Sequence, residues 1–183
     1  TIDDASSSDP GGVFSWRERA TTEWHSAICE PRFDFFSGSV NGFSSIEDGA
    51  VHKREILFLR GDYMIIRDEV EARGNHAYEL NFHYNVGIAA GTSADSSFSG
   101  NSDHRICVFA DGGRWQQNES WVSSEYGRKT NAPLLRYITA GHGKQEFFTF
   151  ILSTGRGGAS ASVQEVEIGG GRAFIIDHGD YHD

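Results

Sequence analysis

The stretch from His52 to Tyr84 alternates apolar and polar residues with a period of two, as an extended strand with one buried face does. In its last part the aromatic and leucine positions Tyr78, Leu80, Phe82 and Tyr84 alternate with the polar positions Glu79, Asn81 and His83. Short turns at Arg60–Asp62 and Glu71–Asn75 divide the stretch. It therefore predicts three consecutive antiparallel strands, His52–Leu59, Tyr63–Val70 and His76–Tyr84.

The remainder of the chain continues this strand-and-turn pattern. Its 183 residues include 22 Gly and 13 Phe, and no long helical pattern is visible. We expect ten to twelve strands in an antiparallel two-sheet β-sandwich that forms one domain over residues 1–183. A closed barrel or jelly roll is the nearest alternative. Asp34–Gly49, which is rich in Gly, Ser and Phe, reads as a loop with aromatic anchors or, alternatively, as a sugar-facing rim.

The charge and hydropathy of the chain exclude two classes of partner. The formal net charge is -10, which argues against a broad face for nucleic acid or for a membrane surface. No window approaches 18 apolar residues, so no transmembrane helix is expected. The chain begins at TIDDASSSDP, as a mature protein or an excised fragment would.

Three potential metal ligands are distributed one to a strand along the opening stretch. A three-residue turn at Arg60–Asp62 pairs Arg54 with Asp68 and places His52 one diagonal away on the same face. A turn at Gly74–Asn75 would place Asp68 opposite Asn81, with His83 again one diagonal away. Two imidazoles and a carboxylate suit Zn²⁺. The alternative is an Asp68–Arg54 pair beside two partly buried histidines.

The run from His52 to His83, with its His-Lys-Arg opening, Gly-Asp-Tyr turn and Arg-Asp-Glu-Val end, resembles the heparinase II/III-like polysaccharide lyases. Ser120–Thr154 is similar to the same family, and the resemblance extends over Val51–Thr154. It implies an α-helical toroid joined to a C-terminal antiparallel β-sandwich, and cleavage of acidic polysaccharides by β-elimination. It also implies a zinc site, carried over to His52, Asp68 and His83, with His104 and His142 as reserves. We expect this zinc to be structural and to support the sandwich face that meets the toroid.

The given residues show no helical pattern for the toroid, which the resemblance implies would supply the catalytic acid and base. No catalytic residue is therefore assigned, and the isolated chain is expected to be inactive. Four cations near the family motifs are candidates for binding the acidic polysaccharide, or are ordinary solvated charges: Lys53, Arg54, Arg128 and Lys129. The expected partners are that polysaccharide and the toroid of the same parent chain, in a periplasmic or secreted enzyme.

Two other functions are alternatives to the predicted lyase. The first is a non-catalytic carbohydrate-binding or scaffold domain that stacks sugars on exposed aromatic residues. Its candidates are tryptophans, most of which we expect in the core: Trp16, Trp24, Trp115 and Trp121. The second is a small cupin-like metalloenzyme, which ranks last because the close His-x-His ligand pair is missing.

Overall fold

The computed structural model describes residues 1–47, 49–87, 90–92, 97–100, 104–153 and 161–177. These residues form thirteen strands and no helix, so the predicted all-β antiparallel fold is confirmed. The first six strands are β1 (Asp9–Gly12), β2 (Ser15–Glu18), β3 (Thr21–Cys29), β4 (Phe33–Gly42), β5 (Ala50–Leu59) and β6 (Tyr63–His83). The others are β7 (Ala90–Thr92), β8 (Ser97–Gly100), β9 (His104–Phe109), β10 (Arg114–Glu125), β11 (Arg128–Ser153), β12 (Ser162–Ile168) and β13 (Gly171–Asp177).

Two strands are much longer than predicted. The strands expected on either side of Glu71–Asn75 are one continuous β6, and those expected on either side of Gly141–Gly143 are one continuous β11. The predicted turns were wrong because the register shift between His142 and Lys144, opposite residues 72–74, is a bulge within a paired ladder. Gly74 and Gly143 have φ of +86° and +68°, which glycine adopts without a side-chain clash.

The bulges allow one hydrogen-bonded sheet to form both layers of a sandwich. Asp68 and Asn81 are thirteen residues apart on β6, roughly 40 Å in a straight strand, yet they line the same cavity. The larger layer runs β3, β4, β5, the first half of β6, the second half of β11, β9, β8 and β7. The smaller layer contains β10 with the other halves of β11 and β6.

The aromatic segment at Asp34–Gly49 also differs from the expectation of a loop. Phe33–Gly42 is strand β4, paired along its whole length with β5 and along most of it with β3. Its phenylalanine positions fall on both faces of the sheet, which hides the alternation that marks a half-buried strand. The edge strand β3 is exposed at eight of its nine residues.

The core occupies both faces of the larger layer. Between the layers, Val70, Ala72 and Phe147 pack against Tyr78 of the smaller layer and against Ile2 near the N-terminus. On the outer face, the β12–β13 hairpin covers a second cluster that includes Phe150, Leu152 and Ile176. The expectation that most tryptophans are buried was wrong, since Trp16, Trp24 and Trp121 are all exposed. Among the described residues no helix is long and apolar enough to cross a membrane.

Candidate functional site

A cavity of about 230 Å³ lies between the two layers. The larger layer lines it with His52, Arg54, Asp68, Val70 and Phe147, and the smaller layer with Tyr78, Glu79, Leu80 and Asn81. Thr1, Ile2 and Phe43 complete the lining. Apolar walls with a few converging polar groups are typical of small-ligand and substrate sites.

Asp68 is the centre of the polar groups in this cavity. Its residue surface is only 2% exposed, and its carboxylate accepts hydrogen bonds at both oxygens. Arg54 donates from Nε to Oδ1 at 2.6 Å and from Nη2 to Oδ2 at 3.0 Å, and His52 donates from Nε2 to Oδ1 at 2.6 Å. Arg54 lies directly opposite Asp68 in the β5–β6 register, as predicted, and His52 is one diagonal away.

These donors decide the charge of Asp68. Burial alone would raise its pKa, but the hydrogen bonds from His52 and Arg54 outweigh burial and hold the pKa below the usual range for Asp. The carboxylate is therefore ionised at neutral pH. Since an ionised carboxylate is acceptor-only, Nε2 of His52 carries a proton, and Nδ1 of His52 and Nη1 of Arg54 remain for another partner.

The third predicted zinc ligand is elsewhere. His83 lies at the end of β6, opposite Leu134 of β11, and its side chain is exposed. The residues that line the cavity do not include it. The reserves are also outside the cavity, because His104 begins β9 opposite Ser153 and His142 lies at the β11 bulge.

The donor set therefore does not fit the predicted zinc ion. Within the described ranges no three His, Cys, Asp or Glu side chains are grouped as a metal site requires. In addition, the guanidinium of Arg54 already occupies both oxygens of Asp68. The alternative of an Asp68–Arg54 pair describes these contacts, with His52 half-buried beside the pair.

The four predicted substrate-binding cations do not meet in one place. Arg54 faces the cavity, whereas Lys53 points to the opposite face of the sheet and pairs with Glu55 at 2.8 Å. The other two lie on the β10–β11 hairpin, beyond the end of β6. There Arg128 is 3.6 Å from Glu125, and Nζ of Lys129 lies 3.8 Å from the ring centroid of Trp121.

Sequence reasoning missed the contribution of the smaller layer. Glu79 and Asn81 line the cavity opposite Arg54 and Asp68, and Glu79 receives a 3.5 Å contact from Arg136. Their alternation with Tyr78 and Leu80 was visible in the sequence. The sequence did not show that β6 passes from one layer to the other at the bulge around Gly74, which brings Glu79 and Asn81 to the same cavity as Asp68.

Solved structures with the same fold include heparinases and a heparan sulfate lyase. A crystal structure of heparinase III has a TM-score of 0.68 at 12% identity, and a heparinase III gene product has a TM-score of 0.67 at 14% identity. Heparan sulfate lyase HepC from Pedobacter heparinus has a TM-score of 0.64 at 14% identity. Each comparison covers 91% of this chain and 27% of the other, so the chain spans about a quarter of the length of these proteins.

A comparison with curated proteins gives no match. In contrast, the model of the family described as "Heparinase II/III-like, C-terminal" matches residues 1–167, which is most of the chain. The cross-strand pair of Arg54 and Asp68 and the whole larger layer lie within the matched residues. The chain therefore belongs to the heparinase II/III-like C-terminal family.

Proposed function

We propose that this chain is the C-terminal β-sandwich domain of a larger lyase that cleaves uronate-containing acidic polysaccharides by β-elimination. The observation that carries the proposal is the family match over residues 1–167. The heparan sulfate lyase among the structures of the same fold agrees with it. The other partner in this proposal is a helical domain of the same parent protein, and the expected location is periplasmic or secreted.

The cavity supplies one of the three things that β-elimination needs. The reaction requires neutralisation of a uronate carboxylate, a base that removes the neighbouring proton, and an acid that protonates the leaving oxygen. Arg54 retains a guanidinium amino group for a substrate carboxylate, and its side chain is 44% exposed at the cavity. The base and acid are assigned to the helical domain, and the sandwich forms one wall of the cleft.

An assay of the intact protein on uronate polymers tests the proposal. Each cleavage creates an unsaturated uronate, whose ultraviolet absorbance rises with time. We expect product from the intact protein and none from residues 1–183 alone, because the acid and base are absent from this domain. Robust turnover by residues 1–183 would contradict the assignment of the acid and base, and no turnover by the intact protein on any uronate polymer would contradict the proposed reaction.

Zinc at His52, Asp68 and His83 stays a prediction from the resemblance, and its binding would require Arg54 to release Asp68 and His83 to come into the cavity. When bound, zinc would supply a positive charge and a link between strands. Metal analysis of protein prepared without chelators, combined with melting before and after EDTA, is the measurement. One zinc per chain and a lower melting temperature in EDTA would support the prediction, whereas metal-free protein with unchanged melting would remove it.

A second candidate function is non-catalytic binding of carbohydrate. Its supporting observation is the exposure of Trp16, Trp24 and Trp121, since an exposed aromatic face offers a flat apolar surface on which a sugar ring can stack. The same assay separates the two candidates. Binding of a glycan without formation of unsaturated product by the intact protein would favour the second.

A further inference from the structure

Four cross-strand partners form a row across the larger layer next to the cavity. Trp24 of β3 is paired with Gly38 of β4, Gly38 with Arg54 of β5, and Arg54 with Asp68 of β6. Directly paired residues project to the same face of a sheet. Trp24 and Arg54 are therefore on the face that carries the cavity, two strand spacings or about 10 Å apart.

The position between them has no side chain. A Cβ built on Gly38 would lie 2.9 Å from Cζ of Phe36 and 3.1 Å from the carbonyl oxygen of Glu23, so a larger residue would displace the Phe36 ring. Phe36 in turn meets the Trp24 ring edge to face, with centroids 5.2 Å apart. We use the name notch for the surface between Trp24 and Arg54, where the Phe36 ring lies over Gly38.

Both sides of the notch are accessible. Trp24 is 67% exposed although it is a large aromatic residue, and the Arg54 side chain is 44% exposed although it pairs with a buried carboxylate. An aromatic face beside a guanidinium suits a ligand with an apolar ring face and a carboxylate. The chain has a net charge of -10, so a carboxylate ligand must be attracted by a local group such as Arg54 and not by the overall field.

We infer that this notch is a binding subsite for a uronate-containing glycan, in which a sugar ring stacks on Trp24 while a uronate carboxylate meets Arg54. The inference rests on the proposed function for its ligand class and extends that function to Trp24, Phe36 and Gly38. It places the glycan along the row from the edge strand β3 towards the cavity. Trp24 is a specificity-determining residue that contacts substrate away from the reacting bond.

Binding of an unsulfated uronate oligosaccharide to the intact protein tests this subsite, with a carboxyl-reduced form of the same oligosaccharide as the matched ligand. Trp24→Ala is expected to weaken binding of the uronate form about tenfold, or 1.4 kcal/mol. Trp24→Phe is expected to restore most of the affinity, because it keeps an aromatic face. Ile28→Ala, which shortens an exposed side chain on the opposite face of β3, is expected to bind as the unmodified protein does.

The ligand pair and a quenching measurement complete the test. The unmodified protein should prefer the uronate form over the carboxyl-reduced form, and this preference should be lost in Arg54→Gln. Equal affinities of Trp24→Ala and the unmodified protein, with an unchanged melting temperature, would overturn the subsite. The subsite would also be overturned if acrylamide failed to quench the fluorescence of Trp24 before glycan is added, because another part of the protein would then cover the notch. Glycan binding is measured separately from cleavage. If the intact protein does not cleave uronate polymers, the binding measurements still test the subsite.

Discussion

At the scale of single residues, Asp68 connects the fold to the candidate site. It is buried at 2% exposure and holds Arg54 by two hydrogen bonds and His52 by a third. A buried carboxylate without partners is strongly disfavoured, so each donor is needed for stability. The same contacts hold Arg54 and His52 in fixed positions at the cavity, which is what a preorganised binding group requires.

Substitution of Arg54 should reveal this dependence. Arg54→Met leaves Asp68 buried with His52 as its remaining partner, and we expect a loss of about 3 kcal/mol in the free energy of unfolding. This loss is at the lower end of the range for removing one partner of a buried ion pair, because nearly half of the Arg54 side chain is exposed to water. Urea denaturation is the measurement, and the double substitution Arg54→Met with Asp68→Leu is expected to recover part of the loss. A single variant as stable as the unmodified protein would contradict this role.

The pKa of Asp68 gives a pH dependence with a definite sign. Because the folded pKa lies below the unfolded value of about 4, the carboxylate stabilises the fold fully above that value. This contribution is lost as the pH falls from about 4 through the folded pKa. The difference in unfolding free energy between the unmodified protein and Asp68→Asn should therefore be constant from pH 7 to about 5 and shrink at lower pH. A difference that does not change below pH 4 would show that the pKa is not lowered.

The residue-scale predictions succeeded where a tight turn fixed the register. The three-residue turn at Arg60–Asp62, with Gly61 at φ +83°, sets Arg54 opposite Asp68. No such turn exists between Asp68 and His83, because Gly74 is in a bulge. A bulge and a turn have the same sequence signal, a glycine beside asparagine, and long-range pairing with β11 decides between them.

At the scale of elements, β6 and β11 determine the architecture. They pair along eighteen positions, and the only register shift in their ladder falls at the bulge around Gly143. Two strands of each layer are therefore covalently continuous with two strands of the other. Local sequence cannot show this, because the pairing joins residues about 50 to 90 positions apart, and such long-range contacts depend on the fold as a whole.

Alanine at the bulge should cost stability for a backbone reason. Gly143 has φ +68° and open space at its Cβ position, so Gly143→Ala introduces strain without a side-chain clash. We expect a loss of roughly 1–2 kcal/mol in the free energy of unfolding. Gly169→Ala is the control, since its surroundings are also open and its φ lies outside the left-handed region. Equal losses in the two variants would show that the bend does not depend on glycine at 143.

At the scale of the whole molecule, the larger layer is covered on both faces. The smaller layer packs on one face, and the β12–β13 hairpin packs on the other through Phe174, which contacts three aromatic rings. Those rings are Phe109, Phe148 and Phe150, with centroids 5.2, 5.0 and 4.9 Å from that of Phe174. The class of the fold was predictable from strand and turn frequency, but this three-tiered arrangement was not.

Truncation of Phe174 tests the importance of the outer cluster. Phe174→Ala is expected to lower the free energy of unfolding by about 3 kcal/mol, the lower end for buried phenylalanine, because the ring is partly exposed. Ile175→Ala is the matched control, since the neighbouring side chain points to the other face of the hairpin and is exposed. Denaturant titration measures both, and similar losses in the two variants would contradict a stabilising role for the outer cluster.

The continuity of β6 and β11 also limits how this protein can move. Two separate sheets can slide or open around a ligand, whereas here any relative motion of the layers would have to deform two long strands at once. We therefore expect the amide hydrogens of these strands to exchange last and together. A ligand that enters the cavity must therefore fit a space whose two walls are tied together by the same two strands.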